Sequence, residues 1–161
     1  MTSTLYLADT IATMNAHNEV LTRGAVLVTN KSIAAIGSAV SLKSQYPGVT
    51  VVNLENTLLM PGLVNTHCHS GLLRGTAEGL PVWAWLQQYI DPMHRVIHAD
   101  EAALASRLCY AEALLSGTTT IVDMWRHMQG SAEAALHQGI RAVLVPYVAE
   151  HPDHDYFETL D

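Results

Sequence analysis

Basic residues are scarce: eight Lys and Arg stand against fifteen Asp and Glu, and the formal net charge is -7 with the nine histidines neutral. No positive stripe is available to neutralise phosphates, which excludes nucleic acid as a partner. Long apolar runs are missing too; none approaches the ~20 residues that cross a bilayer. The opening MTSTLYLADTIATMN has no basic stretch ahead of a clean apolar core, so neither secretion nor a membrane partner is expected. Cysteine is limited to Cys68 and Cys109. Two thiols in a chain of this size make no disulfide framework, and they are expected to stay reduced in the cytoplasm. Charged runs and low-complexity tracts are absent, whereas apolar residues make up 49% and mean hydropathy is +0.16. That composition belongs to a folded globular protein.

The pattern of what is present changes once along the chain. Residues 1–57 read as a small β domain, with short β-rich runs (LYLADTIATM, GAVLVTN, SIAAIG, VTVVNL) broken by turn residues. The tetrapeptide Thr29-Asn30-Lys31-Ser32 predicts a hairpin between residues 25–28 and 33–36. From residue 58 to 161, strands alternate with helices. Residues 63–67 read as a buried strand and 81–89 as a short helix with Pro81 in its first turn. A long helix is predicted over 100–116, where Leu104, Leu108, Ala111 and Leu115 recur at helical spacing and Gly117 stops the pattern. A strand over 118–123, a helix over 132–138 ended by Gly139, and a strand over 140–148 complete the order β, α, β, α, β. Such alternation implies an α/β fold with a parallel sheet and right-handed crossovers, either doubly wound or part of a barrel. The turn after the first of these strands carries no glycine-rich phosphate loop. It carries His-Cys-His-Ser instead.

That turn closes the string MPGLVNTHCHS, residues 60–70. Side chains two apart on an extended strand share a face, so His67 and His69 project together while Cys68 points away. At the carboxyl end of a parallel strand, two such imidazoles suit a divalent metal with nitrogen ligands at ~2.0 Å. Zinc is the first candidate and iron the second. His-x-His alone is a weak signal, because histidines also end strands simply as polar residues.

The preceding Pro-Gly-Leu-Val-Asn-Thr strengthens it. The whole string resembles the amidohydrolase superfamily, whose first barrel strand ends in a His-x-His metal pair after a Pro-Gly-hydrophobic run. The segment AVLVTNKSIAAIG, residues 25–37, is similar to the N-terminal strands of the small β domain that flanks the barrel there. Beyond the histidines, LLRGTAEGLPVWAWL, LLSGTTTIVDM and GIRAVLV resemble the branch containing S-adenosylhomocysteine and guanine-type deaminases and triazine hydrolases (chlorohydrolases). The resemblance implies the N-terminal part of a (β/α)8 TIM-type barrel preceded by part of a small β-sandwich domain. It also implies a cytoplasmic, homo-oligomeric parent enzyme that hydrolyses non-peptide C–N bonds, with water made acidic by one divalent metal attacking an electron-poor ring carbon. The small-molecule substrate expected is an aminated N-heterocycle of purine, pterin or triazine type. Two alternatives stay open: a chlorohydrolase of chlorotriazines, and a truncated product without catalysis.

The remaining candidates are weaker. His94 stands where similar adenosine-type deaminases carry a glutamate that grips ribose hydroxyls. A neutral imidazole accepts one hydrogen bond, which favours a free heterocycle over a nucleoside. Trp85 and Trp125 are candidate stacking faces for a flat substrate, and Trp83 a lesser one. Arg74 reads as a loop tie, and Asp123, which ends a strand, is assigned no metal role by the resemblance. His127, His137, His151 and His154 have no spacing that converges on the pair. Family members place their further metal ligands and the catalytic acid–base residue on later strands, so no catalytic residue is expected within these 161 residues. A full barrel needs ~250 residues, and the chain reads as holding about three of eight strands.

Overall fold

In a computed structural model, residues 2–72, 75 and 79–147 are described. The chain divides into two compact units, Met1–Pro61 and Gly62–Asp161.

The first unit is a four-stranded sheet of β1 (Ser3–Ala12), β2 (Val20–Thr29), β3 (Ser32–Ser38) and β4 (Thr50–Leu59), with one helix, α1 (Ala39–Gln45). Its strand order is β3-β2-β1-β4. β1 pairs antiparallel with β2 and β2 with β3, while β4 runs parallel to β1. The predicted hairpin is present: Thr29 pairs with Ser32, and Asn30 takes a positive φ of 57° in the turn, a conformation asparagine tolerates. The central strands bury both faces. Leu5, Leu7, Ala25 and Leu27 pack with Leu42 of α1, and Ala8, Ile11 and Val26 form a second cluster. No pattern in the sequence announces helix α1, since seven residues carry too little periodicity. It starts where the Ser38 side chain accepts the Ser41 N–H at 3.2 Å, an N-cap that begins the link from β3 to β4.

The second unit is a parallel sheet, β5 (Leu63–Cys68), β6 (Thr118–Trp125) and β7 (Arg141–Pro146), in the order β5-β6-β7. Between β5 and β6 lie α2 (Val82–Trp85), a π-helical turn (Leu86–Ile90), α3 (Asp91–Val96) and α4 (Ala99–Leu115); α5 (Met128–Gln138) joins β6 to β7. The short helix expected over 81–89 therefore continues through a wide turn. One residue inserted in a turn rotates the succeeding helix by about 100°, and both Ile90 and His94 are buried after it. Gly117 and Gly139 end α4 and α5 at φ of 87° and 75°, the left-handed position glycine occupies without strain.

The leucine spacing that predicts α4 marks its outer face. Leu104, Leu108 and Leu115 are exposed, and the buried residues are Ala102, Ala105, Ser106 and Tyr110. Small residues allow close approach: at Gly130 of α5, any side chain would press on Ala103 of α4. The core beneath holds Tyr110, Ile121, Ala134, Ala135 and Ile140, with Ile97, Ala102 and Trp125 as a second cluster. Among the described residues, no helix is long and apolar enough to cross a membrane.

Candidate metal centre

β5 delivers its histidines to the carboxyl end of the parallel sheet. The rings of His67 and His69 lie 4.9 Å apart at 85°. Cys68 points the other way, and its Sγ lies 3.6 Å from Cys109 Sγ on α4. The two sides of the strand are thus divided, with imidazoles on one and thiols against the helix on the other. The Cys68 thiol is pushed well above its usual range, first by its hydrogen bond with Cys109 and then by burial.

The neighbouring strand orients His69. Its Nδ1 lies 2.8 Å from the Met124 carbonyl, and a carbonyl only accepts, so Nδ1 carries a proton and Nε2 is the nitrogen left to bind a ligand in the neutral ring. The Tyr147 hydroxyl oxygen is a second, longer neighbour of the same Nδ1 at 3.3 Å. Metal-binding histidines are held in this way by a carbonyl on the nitrogen that does not bind. His67 is tied at its backbone, where its N–H donates to Asn65 Oδ1 at 3.0 Å. Among the described residues, no cluster of three or more His, Cys, Asp or Glu is placed to hold an ion. The pair offers two imidazole nitrogens as its donor set.

Beside the pair stands an aromatic stack. His94 lies 4.4 Å from Trp125 at 30° and 5.4 Å from Tyr147, and Tyr147 reaches to 6.2 Å from His69. Both His94 and Trp125 are 1% exposed. Burial, aided by the Arg126 guanidinium, lowers the His94 pKa to about 4, against a smaller opposing pull from Asp91. Burial raises that of Tyr147, helped by the Asp123 charge. Arg126 also donates to the His94 carbonyl, tying the end of β6 to α3. The Trp125 indole lies against Gly71, where a Cβ would collide with it. Glycine after His-Cys-His-Ser is a packing requirement.

Of the residues singled out in the sequence, His67 and His69 come together, and His94 and Trp125 stack on each other close by. Trp85 is half-buried on α2 and makes no ring contact with this group among the described residues; Trp83 is exposed. Arg74, His151 and His154 lie outside the described residues. Tyr147 was not anticipated: the strand expected over 140–148 runs through it, whereas β7 ends at Pro146 and leaves Tyr147 just beyond the strand. Asp123 is fully buried and accepts from Ser70 and Tyr110. Those donors occupy the carboxylate.

Residues 58–158 match the model of the amidohydrolase family. The 5-methylthioadenosine/S-adenosylhomocysteine deaminase of Caldicellulosiruptor saccharolyticus is 38% identical over 138 residues, covering 84% of this chain and 32% of that protein. The chain thus spans about a third of the length of the curated relatives it matches. A zinc-bound adenosine deaminase from Xanthomonas campestris superposes with a TM-score of 0.80 at 27% identity, over 98% of this chain and 36% of the other. Guanine deaminase from Bradyrhizobium japonicum does so at 0.84 and 18% identity, over 99% and 38%, a likeness of fold.

Proposed function

The chain belongs to the amidohydrolase family, and from that premise we propose that its protein is a hydrolytic deaminase of aminated N-heterocycles in which His67 and His69 are two ligands of a divalent ion. The observation that carries this reading is the His69 ring, fixed by the Met124 carbonyl with Nε2 directed away, beside the ring of His67 4.9 Å distant. Two imidazoles on one side of a strand fit a zinc or iron site, with zinc favoured by the zinc-bound relative. Such an ion supplies the Lewis acidity that lets water ionise near neutral pH.

The chain's own residues present the two nitrogens and hold the aromatic wall beside them. His94 and Trp125 are proposed as the buried part of that wall, with Trp85 as the less buried face toward a flat small-molecule substrate. In this reading residues 1–57 are N-terminal strands of a small β-sandwich domain, and residues 58–161 are the first βα units of a (β/α)8 barrel. The three parallel strands with intervening helices support it. The location proposed is the cytoplasm, on cysteine usage.

Zinc content and ammonia release from amino-substituted purines, pterins and triazines test the proposal. We expect ammonia release that disappears with chelator and returns with zinc, and zinc binding that is lost in both His67→Ala and His69→Ala. Zinc bound equally well by the double alanine variant would remove the metal reading. Chloride release from chlorotriazines without ammonia release would move the activity to dechlorination.

A further inference from the structure

The metal pair makes no direct use of the most enclosed carboxylate among the described residues of the second unit. Asp123 is 0% exposed. Its Oδ1 accepts the Ser70 backbone N–H at 2.9 Å, and its Oδ2 accepts the Ser70 hydroxyl at 2.5 Å and the Tyr110 hydroxyl at 2.6 Å. The charge is thus distributed over three donors, two of them on the residue that comes after His69.

The hydroxyls behind it have a fixed direction. Ser70 gives its only hydroxyl proton to Asp123, so across the 2.7 Å contact Ser106 must donate to Ser70. Ser106 has then used its own proton, and at 2.8 Å Ser131 must donate to Ser106. A one-way chain from α5 through α4 ends on the carboxylate. Fully satisfied buried networks of this kind select one conformation, because each lost partner leaves a desolvated group behind.

β6 then grips the histidine loop at two successive residues. Asp123 takes the Ser70 peptide, and the Met124 carbonyl takes the His69 ring. We propose that Asp123 is a positioning residue for the metal pair: through Ser70 it fixes the backbone beyond His69, so that the ring meets Met124 and turns Nε2 to the ion. This rests on the reading of His67 and His69 as ligands. Removal of the carboxylate frees the Ser70 peptide, and the ring then loses its single orientation.

The test measures zinc affinity by competition with a chromophoric chelator on the full-length chain, alongside the visible spectrum of the cobalt-substituted protein. Asp123→Ala, which leaves the Ser70 N–H without its acceptor, is expected to weaken zinc binding about 10- to 100-fold and to shift the cobalt bands. Tyr110→Phe, which removes a donor from the same carboxylate without releasing Ser70, should keep wild-type affinity and spectrum. Ser70→Ala loses the hydroxyl bond and keeps the N–H bond, so it should fall between them; it also serves if Asp123→Ala does not fold. In metal-free protein, nitrogen-15 spectra should show His69 as the Nδ1–H tautomer in the wild type and as a mixture in Asp123→Ala. Wild-type zinc affinity, cobalt spectrum and tautomer in folded Asp123→Ala or Ser70→Ala would overturn the proposal. A wild-type protein that binds no zinc would refute the metal reading, and the tautomer comparison would still decide whether Asp123 positions the ring.

Discussion

The two units have unlike interiors. Every buried polar residue among the described residues, Ser70, His94, Ser106, Asp123 and Ser131, lies in the C-terminal unit, and the N-terminal unit is filled by Leu5, Leu7, Ala25, Leu27, Leu42 and other aliphatic groups. An aliphatic interior is specified by volume and tolerates exchanges that conserve it. A polar interior is specified atom by atom, since each donor requires its acceptor. The first kind of core supports a fold; the second also fixes the directions of particular side chains, and in this chain it adjoins the histidine pair.

The sharpest challenge to this contrast is Gly71→Ala. A methyl there overlaps the Trp125 indole, and neither β6 nor the histidine loop can yield without breaking hydrogen bonds, so a loss of about 3 kcal/mol is expected. A volume-conserving exchange in the N-terminal core, Leu27→Met, should cost less than about 1.5 kcal/mol. Denaturant unfolding of both variants measures the difference, and equal midpoints would erase the contrast.

Acid provides a second, smaller probe. The His94 pKa of about 4 in the folded chain lies below the ordinary ~6.5 of the unfolded one. Between these values the unfolded state binds the proton and the folded state does not. The stabilising contribution is therefore complete above pH 6.5 and is lost as pH falls toward 4, by about 3 kcal/mol in all. Melting curves from pH 7 to 4.5 should show this decline in the wild type and a flatter profile in His94→Gln. Superimposable profiles would rule out His94 as its source.

The smallest effect is expected on the outer face of α4. Leu115 is 88% exposed, and Leu115→Lys should change stability by no more than about 0.5 kcal/mol. A drop of several degrees in melting temperature would mean that another surface covers this face.

These contrasts also explain what could be read from the amino-acid order. The alternation after Gly62, the helix stops at Gly117 and Gly139 and the hairpin at Asn30 each rest on a local rule, and each is present. The leucine stripe of α4 was legible as a helix but silent about its orientation, because the face that packs is made of alanine, serine and tyrosine. Ser70, Ser106 and Ser131 are unremarkable as sequence. Only the fold brings them to Asp123 from three separate segments, and no spacing encodes that meeting. Tyr147 reaches His69 from 78 positions away, beyond any periodicity.

Three consecutive residues of β6 do three different jobs: Asp123 accepts from Ser70, the Met124 carbonyl accepts from His69, and Trp125 packs on Gly71 and His94. Neighbouring strand residues face opposite ways, so a shift of one position would exchange all of these assignments together. Descendants of this sequence can vary the letters of β6 one at a time, but a change in its length is another matter: a single codon gained or lost ahead of Asp123 would turn the carboxylate toward the histidine face and the tryptophan away from its glycine.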